Sequence, residues 1–409
     1  VTASGNLSII ANDLVSEGNL DASGFEILIQ DSDGSGVVMG NQFIGGWLNL
    51  SQTELDGMAA DAMTISSNAR INVYGVTLPN PGDPDSFSGA MTLDSGTYVL
   101  FYSSESTFAS LTVEADDLVY VGANLSTTTG DLILRSDVDG TPDFYDKIYF
   151  EANVVVDSAG ELLLDASGGS ETFGAIDLLA DDGVTINQSF TGTGKVKIDA
   201  DTDSDANTSD DSGTLTIASG ATLATNGNAL EIRLNQLQLD GNIDSGSGMT
   251  TFIDSDADGI GLGNAQPVDA LTLSNTLLAS VNSTGLTVRT EGDVAVDGFN
   301  QPANIIGTVF IDANGTDSSI TFVNGDSTVT ELQADATGDI NVDALIQTPT
   351  GSMRFDAVGS FNLSSGNRVV AGGDGTTLSV SAGTIDVADG STGTESIRNS
   401  GIGTVSYTH

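Results

Sequence analysis

Apolar and polar side chains alternate in short segments along the whole chain. Examples are Leu215-Thr216-Ile217, Leu230-Glu231-Ile232-Arg233-Leu234 and Val294-Ala295-Val296. A period of two residues is typical of a β-strand with one buried face. Groups such as Ala-Ser-Gly, Thr-Asn-Gly and Asp-Gly-Asn separate the segments and favour tight turns. The pattern therefore predicts an all-β protein built from many short strands.

The number of these segments favours a coil over isolated hairpins. There are roughly thirty or more of them, without long strands, which exceeds what one sandwich holds. We expect a parallel β-helix (β-solenoid) of roughly 20 turns, with about 20 residues per turn and about 4.8 Å between turns. The alternative is a row of tandem antiparallel β-sandwiches, because hairpins produce the same local pattern.

A long internal repeat supports the coil. Residues 1–76 align without a gap on the stretch 223 positions later, with 22 identities in the 76 pairs, including Leu48 with Leu271. Near the end of the chain the match resumes at an offset of 209. Repetition of this kind indicates a tandem array. We expect a first copy at 1–223 and a shorter, incomplete copy at 224–409, both parts of a longer repeat protein.

Two departures from the strand pattern are expected. Loops peculiar to the first copy, at 77–91 and 137–149, are expected to bulge from the coil. Ser51-Gln52-Thr53-Glu54 has the spacing of a helix capping box and predicts one short helical turn. The aligned Ser274-Asn275-Thr276-Leu277 lacks the Glu.

Composition agrees with a turn-rich β fold that has a core. The chain has 50 Gly, and Asp greatly outnumbers Glu, which favours turns. Its 39% of hydrophobic residues argues against a disordered acidic tail in spite of a net charge of −47. Without Cys, stability must come from strand ladders and packed aliphatic residues. The apolar runs are too short to cross a bilayer, so we expect no membrane span here and place any export signal outside this stretch.

The sequence resembles the degenerate repeats of filamentous haemagglutinin-like exoproteins. The resemblance rests on the order Asp-Ser-Asp, Gly, Met/Leu-Gly-Asn, Leu-x-Leu-Ser-x-Thr-x-Leu, and on Lys197-Ile198-Asp199-Ala200-Asp201-Thr202-Asp203 followed by Gly213-Thr214-Leu215-Thr216-Ile217-Ala218. It implies a right-handed β-helix on a very large secreted protein of a Gram-negative-type bacterium. It also implies an extracellular or cell-surface location, export by two-partner or autotransporter routes, and a role in adhesion or surface coating.

The charge bears on possible partners. A coil of roughly 20 turns is expected to be about 95 Å long. The net charge of −47 then amounts to roughly one negative charge per 2 Å, close to the linear density of duplex DNA at one per about 1.7 Å. We therefore expect divalent cations as partners. Nucleic acid, other polyanions and anionic membranes are expected to be poor partners.

Three aspartate runs are candidate calcium sites. Asp-Ser-Asp-Ala-Asp-Gly at 254–259 resembles the opening of a calcium loop, although Ala265 stands where a bidentate acid is expected. The candidate ligands in the three runs are Asp254, Asp256 and Asp258; Asp31 and Asp33; and Asp199, Asp201, Asp203 and Asp205. Alternatively, all of these are solvated turn acids.

The sequence gives little support for an enzyme. Lyase chemistry on acidic sugars needs a basic residue beside calcium, but the Arg residues are scattered singly along the chain. The single His is His409, so a His-based triad is out of reach in this stretch. With 57 acids, some carboxylate pair satisfies any glycosidase distance, which makes such a match uninformative. A polysaccharide-degrading β-helix enzyme is therefore the least favoured hypothesis.

Aromatic residues crowd into part of the first copy, between Tyr98 and Phe150. One interpretation is a ladder of rings stacked inside the coil. The other places Tyr145 and Tyr149 on the surface as a platform for a sugar or a partner.

These observations predict a structural or adhesive extracellular surface protein, a rod-like fragment that spaces, coats or assembles into filaments. Such a rod is expected to associate with itself end to end or laterally. The alternative is a module that binds a cell-surface glycan or protein through the loops of the first copy.

Overall fold

The computed structural model describes residues 2–15, 18–79, 87–141, 143–203, 213–267, 270–388, 397–400 and 404–408. The chain divides into two compact units. Unit 1 comprises Val1–Thr202 and Thr216–Ala224, and unit 2 comprises Asp203–Leu215 and Thr225–His409. The strands pair in parallel throughout the described ladders. Each unit is a parallel β-helix, as predicted, and the described residues do not form the alternative antiparallel sandwiches.

Unit 1 contains short strands and one helical turn. In chain order these are β1 (Leu7–Ala11), β2 (Leu20–Asp31), β3 (Val37–Gly40), β4 (Leu48–Ser51), α1 (Gln52–Asp56), β5 (Met58–Ser67), β6 (Ile71–Tyr74), β7 (Ala90–Ser95), β8 (Tyr98–Phe101), β9 (Ser106–Phe108), β10 (Ser110–Ala115), β11 (Leu118–Val121), β12 (Leu125–Thr127), β13 (Leu132–Ser136), β14 (Lys147–Phe150), β15 (Val154–Ser158), β16 (Glu161–Ala166), β17 (Ser170–Thr172), β18 (Ile176–Ala180), β19 (Gly183–Ile186), β20 (Phe190–Gly192), β21 (Val196–Asp199), β22 (Thr214–Ile217) and β23 (Thr222–Ala224).

The turns of unit 1 have three faces. One sheet has the order β1-β2-β5-β7-β10-β13-β16-β19, a second has β4-β3-β6-β8-β11-β14-β17-β20-β23, and a third has β9-β12-β15-β18-β21. From β7 to β21, consecutive strands belong to different sheets, and each circuit of the chain adds one strand to each face. This is the topology of a β-solenoid.

Alternating side chains explain the core of unit 1. Val113, Leu134 and Leu164 occupy equivalent positions on successive turns of the first sheet and are almost completely buried. Between them, half-buried residues such as Ile133 point to the other face. Burial of such aliphatic columns stabilises the stack by about 25 cal/mol per Å² of apolar surface removed from water.

The turns differ in length because some carry loops. Leu111 and Leu132 are paired 21 residues apart, but Leu132 and Leu162 are 30 residues apart. The longer circuit includes the loop predicted at 137–149, which is shorter than expected because β14 begins at Lys147. At the other predicted loop, β7 already begins at Ala90, and residues 80–86 lie outside the described part of the chain.

Unit 2 is built in the same way. Its elements continue as β24 (Leu230–Leu234), β25 (Gln236–Leu239), β26 (Asn242–Asp244), β27 (Met249–Asp254), β28 (Ile260–Gly263), β29 (Leu271–Ser274), α2 (Asn275–Leu278), β30 (Val281–Asn282), β31 (Gly285–Thr290), β32 (Val294–Asp297), β33 (Thr308–Ala313), β34 (Ile320–Val323), β35 (Ser327–Thr328), β36 (Glu331–Ala336), β37 (Ile340–Val342), β38 (Ile346–Thr348), β39 (Met353–Leu363), β40 (Val369–Ala371), β41 (Thr377–Val387), β42 (Ile397–Asn399) and β43 (Thr404–Thr408).

The longest ladder of unit 2 has the order β24-β27-β31-β33-β36-β39-β41-β43. A second ladder joins β29, β28, β32, β34, β37 and β39, and a third joins β35, β38, β40 and β42. The 11-residue β39 pairs with both β36 and β37, so one strand continues across two faces. The expectation that no strand is long is wrong here and also at the 12-residue β2 and the 11-residue β41, because strand pairing continues past a register shift in each case.

The internal repeat appears as a repeated pairing pattern. In unit 1, Val37 of β3 lies opposite both Leu48 and Ile71. In unit 2, Ile260 of β28 lies opposite both Leu271 and Val294, which are the residues 223 positions later.

The predicted helical turn is confirmed in α1, where Ser51 and Glu54 form the complete capping box. The second copy also forms a helical turn, α2, although it lacks the Glu. There the Ser274 hydroxyl accepts the N–H of Leu277, so the N-cap alone is sufficient. None of the helices in the described ranges has the length and apolar character that a membrane crossing requires.

Candidate cation site and aromatic surface of unit 1

The parallel register brings two aspartates together on successive turns. Asp117 lies in the two-residue turn between β10 and β11, and Asp146 directly precedes β14. Since Leu118 of β11 is paired with Lys147 of β14, the residues before them are neighbours. The main-chain N–H of Asp117 donates to the carbonyl of Thr97 at 2.9 Å, which ties its turn to the preceding one.

A third aspartate is supplied by the loop between β13 and β14. The N–H of Asp143 donates to Oδ2 of Asp146 at 2.6 Å, and the N–H of Tyr145 donates to Oδ1 of Asp143 at 2.5 Å. These two bonds curl the loop so that both carboxyl groups face Asp117. The position of Asp143 is therefore determined by local turn chemistry, which Asp favours.

Asp117, Asp143 and Asp146 form an acidic triad. They each offer a carboxylate oxygen, and these oxygens lie within 4.8 Å of one another. Asp146 is only 3% exposed, and its Oδ1 has no hydrogen-bond partner among the described residues. Clustered carboxylate oxygens are the ligands that hard cations such as Ca²⁺ and Mg²⁺ prefer. The triad can hold one such ion.

The electrostatics of the triad follow from burial and mutual repulsion. Burial, followed by the hydrogen bond with Asp143 and the charges of Asp143 and Asp146, raises the pKa of Asp117 to about 6. Burial also raises the pKa of Asp146. In contrast, the N–H of Tyr145 lowers the pKa of the exposed Asp143. Ionisation of the Asp117 carboxyl group is therefore unfavourable unless a positive charge is nearby.

Aromatic rings surround the triad. The Tyr145 ring makes edge contacts with Tyr98, at 5.9 Å between centroids, and with Phe144, at 5.4 Å. Phe144 is 78% exposed and Tyr145 is 48% exposed. Loop 137–146 thus presents two aromatic rings to solvent beside the carboxylates.

The strand period separates the remaining aromatic residues of unit 1 into two groups. Phe150 and Phe190 are buried inside the β-helix, where their tilted rings lie 6.2 Å apart between centroids. On the outer face of the same sheet, Tyr149 is half-buried and stacks on Phe173 at 5.5 Å, with Phe173 56% exposed. Rings are therefore buried inside the coil at Phe150 and Phe190, as the first interpretation expects, and Tyr145 and Tyr149 lie on the outer side. Their use as a platform for a sugar or a partner stays a prediction.

The outer aromatic surface extends along neighbouring turns of unit 1. Tyr102 contacts Tyr74 at 5.6 Å and Tyr120 at 5.5 Å between ring centroids. The hydroxyl of Tyr120 donates to Glu151 at 2.6 Å. Burial, followed by this hydrogen bond, raises the pKa of Tyr120 to about 12. These rings form a semi-apolar strip on the outside of the second sheet.

The first acids of the predicted calcium runs point inward. Oδ2 of Asp31 accepts the N–H of Gly36 at 2.9 Å and the hydroxyl of Ser67 at 3.0 Å. In unit 2, Oδ2 of Asp254 accepts the N–H of Gly259 at 2.9 Å and the hydroxyl of Thr290 at 2.7 Å. The two sets of bonds are equivalent, since each residue lies 223 positions after its counterpart. Both acids therefore hold a turn and link it to the next one.

The glycines in these two turns have backbones that other residues rarely adopt. Gly36 has φ of +117° and Gly259 has φ of +105°. A side chain at Gly259 would also collide with the carbonyl of Asp293. The hydrogen bond from the glycine N–H to the aspartate carboxylate thus depends on glycine at these positions.

Basic residues lie beside Asp254. A shallow cleft of about 340 Å³ is lined by Asp254, Arg233, Arg289 and Glu291, among other residues. The guanidinium of Arg233 donates to the Ser255 carbonyl at 3.0 Å. The cleft thus brings acidic and basic side chains together at the Asp254 run.

The other predicted ligands are dispersed. Among the residues that the structure describes, the acidic triad is the single group of three or more acids close enough to share an ion. The predicted ligands have different surroundings: Asp33, Asp203 and Asp258 are exposed, Asp256 is half-buried, Asp199 and Asp201 are buried, and Asp205 lies outside the described residues.

The triad was not predicted from the sequence. Asp143 and Asp146 lie in a loop that the sequence marks as Asp-rich, but Asp117 is 26 residues before Asp143. A register that pairs Leu118 with Lys147 was needed to bring them together. The signal available in the sequence was the two-acid turn Asp116-Asp117.

Comparisons with known proteins give no relatives. No family model matches the chain, and neither a curated protein nor a solved structure matches it. The arguments for function therefore rest on the fold and the site.

Proposed function

We propose that this chain is a structural, adhesive protein of the extracellular surface and that it does not act as an enzyme. The observation that carries the proposal is the repetition of one non-globular design in both units. The Asp31 bonds of unit 1 recur at Asp254 in unit 2, and the pairing of β3 recurs at β28. A repeated stack of turns supplies surface and length, which suits spacing, coating or filament assembly.

The resemblance to filamentous haemagglutinin-like repeats supports the same proposal. In such a protein, the stacked turns would expose acidic side chains and keep the surface hydrated. A surface location in a bacterium, and self-association of the stacks end to end or laterally, are parts of this proposal.

A second candidate function is favoured by the exposed aromatic pair. Phe144 and Tyr145 lie on a loop that the second copy lacks; Tyr149 follows on β14 and stacks on Phe173 of the next turn. Aromatic faces beside carboxylates suit contact with a glycan, because rings pack against sugar C–H groups while acids accept hydroxyl hydrogens. In this alternative, unit 1 is the binding module.

Calcium is the cation that we propose for the acidic surface. Its oxygen ligands and flexible geometry suit aspartate turns. The Asp31, Asp199 and Asp254 runs remain candidate sites, and titration calorimetry at low salt would detect them. A saturable component of the heat that the Asp256→Asn and Asp258→Asn double variant removes would place calcium in the Asp254 run. Heat unchanged by that double variant would remove the run from consideration.

Attachment assays test the function itself. Beads coated with the full chain should attach to cell or glycan surfaces more than beads coated with an unrelated acidic protein. Loss of attachment in the Phe144→Ser and Tyr145→Ser double variant would favour the binding-module alternative. A matched control is Phe43→Ser, which removes a 73% exposed ring from another loop of unit 1, outside this aromatic surface. Depolymerisation of a polysaccharide by the chain, or failure of both attachment and self-association, would contradict the proposal.

A further inference from the structure

We propose that Asp117, Asp143 and Asp146 bind one calcium ion, and that this ion fastens residues 143–146 to the preceding turn of unit 1. This inference goes beyond the proposed function, which does not require any particular cation site. It rests on geometry, on one buried oxygen without a partner, and on the distribution of nearby charges.

The distances between the carboxylate oxygens suit calcium. Ligand oxygens lie about 2.3 to 2.6 Å from calcium, so two ligands of one ion are at most about 5 Å apart. The three oxygens of the triad lie within 4.8 Å of one another. Magnesium, at about 2.0 to 2.1 Å, would require a tighter cluster and near-ideal octahedral geometry. Calcium, which tolerates a wider range of ligand numbers and geometries, is therefore the better match.

The second observation is the state of Asp146. Its side chain is buried to 97%, since 3% is exposed, yet Oδ1 has no hydrogen-bond partner among the described residues. A buried, unsatisfied carboxylate oxygen is costly. The other oxygen, Oδ2, is occupied by the N–H of Asp143, so Oδ1 is available for an ion.

The nearby charges point in the same direction. Lys147 follows Asp146 directly, but its ammonium group donates to Glu171 on the next turn. Asp137 adds a further negative charge near Asp146. No cationic side chain among the described residues is hydrogen-bonded to the triad, so a bound cation would supply the missing positive charge.

Calcium at this site would order the exposed aromatic pair. Phe144 and Tyr145 lie between two of the ligands, and the N–H of Tyr145 is bonded to Asp143. Fixing both ligands fixes the two residues between them. The ion thereby determines how the loop presents its rings.

Terbium, which replaces calcium at oxygen sites, tests the proposal on the full chain. With tyrosine excitation, energy transfer from Tyr98 and Tyr145 should give saturable luminescence that calcium displaces. Asp117→Asn and Asp146→Asn should each weaken binding about tenfold or more, because each removes a charged ligand. Asp139→Asn removes the same charge from the same loop outside the triad, and should change affinity less than about twofold. Tyr145→Phe should dim the signal at unchanged affinity.

Chymotrypsin tests whether the ion fastens the loop. Calcium should slow cleavage after Phe144 and Tyr145 in the wild-type chain and have no effect in Asp146→Asn. Circular dichroism should show that both Asn variants keep their β-structure. Absence of saturable luminescence, or saturable binding that both Asn variants retain, would overturn the proposal. Neither result depends on adhesion, so it would leave the proposed function standing.

Discussion

The bond between Asp254 and Thr290 offers a quantitative test of how successive turns are joined. Asp254 ends β27 and Thr290 ends β31, which is the next turn in the same ladder. The 2.7 Å bond is inside the stack, where Asp254 is 5% exposed. Thr290→Val keeps the shape of the side chain and removes the donor. Buried hydrogen bonds to a charged group contribute about 1.5 to 3 kcal/mol.

A loss of about 2 kcal/mol should lower the melting temperature of a unit of this size by about 4 to 8 °C. Differential scanning calorimetry of the full chain measures this change. Thr251→Val is the matched control, because Thr251 is a half-buried threonine on the outward side of β27 and its change should cost less than about 0.5 kcal/mol.

The equivalent change in unit 1, Ser67→Ala, should also destabilise the protein, since Ser67 donates to Asp31 at 3.0 Å. If Thr290→Val had the melting temperature of the wild-type protein while Thr251→Val had a lower one, the reasoning about inter-turn bonds would be refuted. Equal effects of the two valine variants would refute it as well.

Two further predictions concern the acidic face and the core. Asp335 lies between Asp312 and Asp356 on adjacent turns, and burial, together with these two charges, raises its pKa. Because its pKa is higher in the folded than in the unfolded state, its ionisation removes stability as pH rises above about 4. Asp335→Asn should therefore stabilise unit 2 by about 0.2 to 1 kcal/mol at pH 7 and by little at pH 3, measured by thermal melting. A larger gain at pH 3 would be contrary to this account. In the core, Leu134→Ala should cost about 2 to 5 kcal/mol in chemical denaturation, whereas Ile133→Ala, on the outer face, should cost less than half as much. Equal losses would be inconsistent with the assigned faces.

The strand period carried most of the information about the fold. Alternation at Leu230, Ile232 and Leu234 placed these residues inside, and all three are buried. The internal repeat predicted equivalent structure at both copies, and the helical turn followed from the capping residue Ser51. These features are local, or are repeated, so a single sequence contains them.

Register and side-chain direction were not available from the sequence. The triad forms because Leu118 pairs with Lys147 across a long loop, and loop length alone does not determine that pairing. In the same way, one interpretation of the sequence made Asp31 and Asp254 solvated turn acids, but both are buried and accept hydrogen bonds. The recurrence of a Ser or Thr 36 positions after each acid was the signal that could have revealed their role.

Distances between spin labels on the first sheet of unit 1 test the stacked-turn architecture most directly. Outward residues at one position on six successive turns are Thr64, Thr92, Thr112, Ile133, Leu163 and Thr185. Double electron–electron resonance between labels at 64 and 163 should give about 19 Å, and between labels at 64 and 185 about 24 Å. The increase of about 5 Å for one added turn is the expected result. Distances that do not increase in this order would contradict a parallel β-helix.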